Sequence, residues 1–117
     1  MKGSSKEWQA VYELHGALDK KFAQDIVLLD LRQVSTVADF FIIATGASRP
    51  QMEALAETSK EILAKHDIPL HHIEGLKAGE WVLLDFGGVI VHLFDKENRD
   101  FYKLERVWGD AKMIELA

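Results

Sequence analysis

WVLLDFGGVIVHLF, residues 81–94, reads as two β-rich runs joined at Gly87-Gly88, and this stretch decides the fold. A two-residue primed turn needs positive φ values, which glycine adopts at little cost, so the glycine pair closes a hairpin. That turn pairs Phe86 with Val89, Leu84 with Val91 and Val82 with Leu93. Side chains alternate along a strand and directly opposed residues share a side, so all six point to one face. With no polar side-chain atom, that face is core. The other face sets Trp81 opposite Phe94, Leu83 opposite His92 and Asp85 opposite Ile90. It is too apolar for a solvent face and too ionisable for a core. A surface that docks onto another macromolecule has this composition.

The 117 residues make one domain, 1–117, long enough for its own core. A chain of this length buries roughly 65% of the surface exposed when unfolded, so neither metal nor disulfide is needed for stability. The absence of cysteine excludes disulfides, thiolate zinc sites and cysteine nucleophiles. The longest apolar runs are strand length, and the start MKGSSKEWQ lacks the apolar stretch of a signal peptide. The expectation is a soluble, cytoplasmic protein without a membrane partner. A net charge of −5 lacks the basic footprint of a nucleic-acid binder, which implies little or no direct RNA binding and favours a basic protein partner or no charged partner at all.

Working outward from the hairpin, Ser4 and Glu7 have capping-box spacing and open a helix through about Lys20. Trp8, Val11, His15, Leu18 and Phe22 recur at helical spacing and form its apolar face. DIVLLDL (25–31) and ADFFIIAT (38–45) read as strands. Only residues 32–37 separate them, too few for a parallel crossover, so they are antiparallel neighbours. Ser48 caps a second helix, with Pro50 in its first turn and Gln51 completing a capping box. Met52, Leu55, Ala56, Ile62 and Leu63 form its buried stripe, Glu61 and Lys65 an outer i,i+4 pair, and Asp67 with Pro69 its end. Leu70 to Ile73 is a short strand. A last helix is predicted from about Lys96 to Trp108, with Phe101, Leu104 and Trp108 inward and Gly109 at its C-terminal cap. The order is α-β-β-α-β-β-β-α, a two-layer α/β fold with a mixed sheet of about five strands and three helices. Three helices cannot cover both faces of that sheet, so part of the hairpin's second face is left bare.

Chemistry finds few footholds in this frame. TGAS (45–48) puts a glycine turn before a helix N-terminus, a junction that binds phosphate through free N–H groups and the helix dipole. It is neither the dinucleotide-binding glycine fingerprint nor a P-loop. Nucleotidyltransferases place Gly-Ser at such a junction, but they need two or three carboxylates converging on metal ions. The next strand, PLHHIEG, offers Glu74 alone. A tight turn at Gly46 with an N-cap at Ser48 is the preferred reading. Adjacent strand residues point to opposite faces, so of His71, His72 and Glu74 only the last two can cooperate, and no metal site results. Asp85 and His92 share a hairpin face but are diagonally offset, and neither strand holds a nucleophile. They are read as hydrogen-bonding anchors, and Trp81, which shares their face, as the aromatic centre of an interface. DKENRD (95–100) is a solvated helix start with acids favoured by the dipole. No catalytic residue, metal or cofactor is assigned.

DIVLLDL (25–31), ADFFIIATGASRPQ (38–51), IEG (73–75), WVLLDFGGVIVHLF (81–94) and RDFYKLERVWGDA (99–111), in this order and spacing, resemble the Iojap family, also called ribosomal silencing factor S (RsfS). The resemblance implies a nucleotidyltransferase-like fold without catalytic function. It implies binding to the large ribosomal subunit at ribosomal protein L-fourteen, which blocks joining of the small subunit and represses translation when nutrients are scarce. The family motif maps onto Asp39, Thr45, Gly46 and Ser48, onto Glu74 and Gly75, onto Trp81, Asp85 and His92, and onto Arg99, Tyr102, Glu105 and Trp108. One departure is Gly88, where the family usually has Asp.

Residues and resemblance lead to one expectation: a non-enzymatic regulator that docks through Trp81, Leu83, Asp85, Ile90, His92 and Phe94 and acts by steric exclusion. A nucleotide-binding or nucleotidyltransferase-like enzyme using Gly46, Ser48 and Glu74 is the rival. A homodimer closed by the same hairpin face is a third reading.

Overall fold

The computed structural model describes residues 6–36, 38–77 and 80–98, and the backbone of 112–114. Its elements are α1 (Lys6–Lys20), β1 (Gln24–Asp30), β2 (Phe40–Gly46), α2 (Arg49–Lys65), β3 (His72–Glu74), β4 (Trp81–Asp85), β5 (Val89–Asp95) and β6 (Lys112–Ile114). They build one sheet in the order β3-β4-β5-β2-β1-β6. β2 lies antiparallel to β1, as the short connection requires, and parallel to β5, so the sheet is mixed.

The hairpin register is the one its turn dictates. Trp81 faces Phe94, Val82 faces Leu93, Leu83 faces His92, Leu84 faces Val91 and Asp85 faces Ile90. The Phe86 N–H donates to the Val89 carbonyl at 2.9 Å and closes the loop. Only Gly87 takes a positive φ, of 85°, the pattern of a type II′ turn. Asp85 Oδ1 accepts the Gly87 N–H at 2.8 Å and holds the turn from one side.

Val82, Leu84, Phe86, Val89, Val91 and Leu93 are all buried in the main core, with Leu28, Phe40, Ile42 and Ala44 from the neighbouring strands. α1 contributes Ala10, Val11, Leu14 and Leu18, and α2 contributes Met52, Leu55, Ala56 and Leu63. Fully burying an aliphatic side chain contributes about 1.5–3 kcal/mol, so this layer dominates the stability. Thr58 and Ser59 are buried in α2 as well, and the Ser59 hydroxyl donates to the Leu55 carbonyl at 2.8 Å.

Several sequence expectations shift. α1 stops at Lys20, and Phe22 stands outside it at φ 67° with 81% of its surface exposed. The Ala23 N–H reaches the Leu18 carbonyl and the Phe22 N–H the Asp19 carbonyl, both at 3.0 Å, so Phe22 occupies the left-handed position of a Schellman cap and leaves the apolar stripe. Lys65 bonds Glu13 of α1 at 2.7 Å, and His66 bonds the other Glu13 oxygen at 2.9 Å, a cross-helix tie where a pairing with Glu61 was expected. β6 adds a sixth strand on β1, too short at three residues to carry a period-2 signal. The last helix begins with a helical turn at 96–98, where Asp95 Oδ1 accepts the Asn98 N–H at 2.8 Å. The rest of that expected helix lies outside the described residues, as do Arg99, Tyr102, Glu105 and Trp108.

Candidate docking surface

Opposite the main core, the sheet carries a second apolar cluster of Leu29, Leu31, Ala38, Phe41, Ile43 and Phe94, with Val27, Trp81 and Ile90 half-buried against it. Sequence reasoning saw only the hairpin's share of this face. Parallel pairing of β2 with β5 sets Ile43 beside His92 and Thr45 beside Phe94, and Phe41 packs edge-on to His92 at 4.6 Å. The run FFIIA carried the missed signal. Continuous apolar character without alternation marks a central strand buried on both faces, and all of β2 is buried.

This second cluster corrects the expected surface. Phe94 is 0% exposed and His92 4%, so both belong to the interior and cannot serve as exposed anchors. Trp81, Leu83, Asp85 and Ile90 remain half-buried. β3 extends their face, because His72 pairs with Asp85 and Glu74 with Leu83. His72 and Glu74 are exposed, 3.5 Å apart, and give the apolar patch a polar rim at the sheet edge. Among the described residues no group of three or more His, Cys, Asp or Glu is placed to hold a metal ion.

His92 is bonded to Trp81 and not to Asp85. The Trp81 indole Nε1–H donates to His92 Nδ1 at 3.1 Å, while the indole stacks on Phe94 at 5.0 Å and 26°. An Nδ1 that accepts leaves the proton on Nε2. That Nε2 is buried and has no hydrogen-bond partner among the described residues. A buried donor without a partner costs about 1–3 kcal/mol. Burial in an apolar surround also disfavours the imidazolium and lowers the His92 pKa to about 4. His92 is therefore neutral at pH 7, an acceptor for Trp81 held at a cost in stability.

The remaining motif residues have identifiable structural work. Ser48 Oγ accepts the Gln51 N–H at 3.2 Å as the N-cap of α2. Gln51 departs from the simple capping box: its Oε1 accepts the Ala47 N–H, and its Nε2 donates to the Lys21 and Phe22 carbonyls at 3.0 Å each. It thereby ties the end of α1 to the start of α2. A Cβ on Gly46 would lie 2.7 Å from Met52 Sδ, so the glycine lets α2 pack close to β2. At Gly75, φ is 84° and a Cβ would meet the Trp81 carbonyl at 2.0 Å, which makes glycine obligatory beside Trp81. The Asp39 N–H donates to the Gly88 carbonyl at 2.7 Å and fastens β2 to the hairpin turn. At Gly88 a Cβ would come within 3.2 Å of Asp39 Oδ2 and 3.4 Å of Glu7 Cγ, so an acidic side chain here would sit beside the Asp39 carboxylate.

Three comparisons bear on this arrangement. A family model described as ribosomal silencing factor during starvation matches residues 4–117. A Bacillus subtilis relative, ribosomal silencing factor RsfS, is 42% identical over 100 residues, which cover 86% of this chain and 85% of the relative. A mouse relative named mitochondrial assembly of ribosomal large subunit protein 1 is 32% identical over 95 residues, covering 78% of this chain and 41% of its own. A crystal structure of a Chromobacterium violaceum protein superposes with a TM-score of 0.81 at 32% identity, covering 93% of this chain and 90% of that one. Matched by the family model over nearly its whole length, by a relative 42% identical over 86% of the chain and by a solved structure over 93% of it, the chain belongs to the ribosomal silencing factor (RsfS/Iojap) family.

Proposed function

We propose that this protein is a cytoplasmic, non-enzymatic regulator of translation that binds the large ribosomal subunit at ribosomal protein L-fourteen and keeps the small subunit from joining. The observation that carries the proposal is the half-buried patch of Trp81, Leu83, Asp85 and Ile90, rimmed by His72 and Glu74, on a chain of the silencing-factor family. An aromatic centre with a polar rim is the composition of a protein interface. The net charge of −5 suits a basic protein partner better than bare RNA. The mouse relative's name points to the large subunit. Steric exclusion needs no chemical step, only occupancy of the joining surface.

The direct test is sedimentation of isolated large and small subunits through a gradient with excess protein. The protein is expected to travel with the large subunit alone and to reduce the yield of joined ribosomes. An unchanged yield would sink the proposal. Ser48→Ala separates this reading from the enzymatic rival built on Gly46, Ser48 and Glu74. Loss of the N-cap should cost about 0.5–2 kcal/mol in urea denaturation. Joining should still be blocked wherever the variant is folded. An enzyme using Ser48 would show the reverse: near-normal stability and a magnesium-dependent activity abolished.

A further inference from the structure

We infer that His92 is a positioning residue for the docking surface: from inside the sheet face it accepts the Trp81 indole N–H and sets the tryptophan in the orientation that a protein partner meets. The inference rests on the docking reading and changes the part His92 plays in it. At 4% exposure the imidazole does not reach a partner itself. Its contact outward runs through the 3.1 Å bond to Trp81, which is half-buried at the start of β4. Phe41 against one side of the ring and Phe94 beneath the indole fix both partners of that bond.

Packing alone does not explain a histidine at this position. The surround is apolar, Nε2 has no partner among the described residues, and the ring is held in its neutral form. A leucine of similar size would fill the space without a stranded donor. Removing the acceptor forfeits one hydrogen bond, that of Trp81, but also removes the stranded donor, which is the larger of the two effects. Stability therefore favours an apolar residue here, and only the orientation of Trp81 favours His. Natural chains break such local packing rules most often at functional sites.

The test is His92→Leu in the full chain, read by melting temperature at pH 7, by affinity for isolated large ribosomal subunits, and by the indole N–H resonance of Trp81 (assigned by its loss in Trp81→Phe). The expected result is a melting temperature equal to or above the parent's, an affinity about tenfold weaker, and faster exchange of the Trp81 indole proton. His92→Gln, whose side-chain carbonyl can again accept that N–H, should recover most of the affinity. A His92→Leu protein that melts well below the parent or does not fold would make His92 structural and overturn the inference. So would unchanged affinity in His92→Leu while Trp81→Ala binds weakly, a result that leaves the docking reading standing. Unchanged affinity in Trp81→Ala would remove the docking reading itself, and the inference with it.

Discussion

Trp81→Ala is expected to weaken binding to the large subunit by about 30-fold or more, roughly 2 kcal/mol, while the domain stays folded. Trp81 is the large aromatic side chain that the hairpin's second face leaves half-buried, and truncating such an anchor removes both its contact area and its exclusion of water. Some stability goes too, because stacking on Phe94 at 5.0 Å contributes about 0.5–1.5 kcal/mol beyond its buried area. Leu84, three residues along the same strand, provides the contrast. It is fully buried on the helix side of β4, and Leu84→Ala should cost about 2–5 kcal/mol of folding free energy through lost burial and the cavity left behind. Any Leu84→Ala protein that remains folded should bind normally. Urea denaturation and subunit binding on the same two variants distinguish the faces. If Trp81→Ala melts the domain while the folded fraction binds with full affinity, the tryptophan is core and the face assignment is reversed.

Acidification should destabilise the fold between pH 6.5 and 4 through His92. Its pKa falls from the ordinary 6.5 to about 4 because burial penalises the charged ring, so in this window the unfolded chain binds a proton that the folded chain does not. Stability is fully present above pH 6.5 and is lost as the pH falls toward 4, in all about 3 kcal/mol from a shift of this size. On the same sheet face the titratable groups among the described residues are Asp85 of β4, its Oδ1 engaged by the Gly87 N–H, and the exposed His72 and Glu74 at the β3 edge; β2 and β5 present Phe41, Ile43, Thr45, Ile90 and Phe94 there. Glu13 acts lower on the scale. Bonds to Lys65 and then His66 hold its carboxyl below 4.5, so its contribution is lost only as the pH falls beneath that value. Unfolding free energies of the parent and His92→Leu at pH 7 and pH 4.5 isolate the histidine. The gap between the two proteins should widen on acidification in favour of the variant, and a constant gap would show that His92 does not resist protonation.

The sequence by itself determined the hairpin, its register, the identity of its core face and the cap of α2. These depend on short-range rules: glycine at a two-residue turn, strict alternation along strands, and Ser48 three residues before Gln51. The antiparallel pairing of β1 and β2 was equally legible, because six residues cannot make a parallel crossover. Only the tertiary structure decided what the second face is. The hairpin viewed alone left Phe94 and His92 open to a partner, whereas in the fold both are buried, beside Phe41 and Ile43 of β2 on the same sheet face. A partner distant in the chain also chose Glu13 for Lys65, where helical spacing had named Glu61. The physical reason is the same throughout. A local period says which residues share a face, but how deeply that face is buried depends on strands and helices that no local period can see.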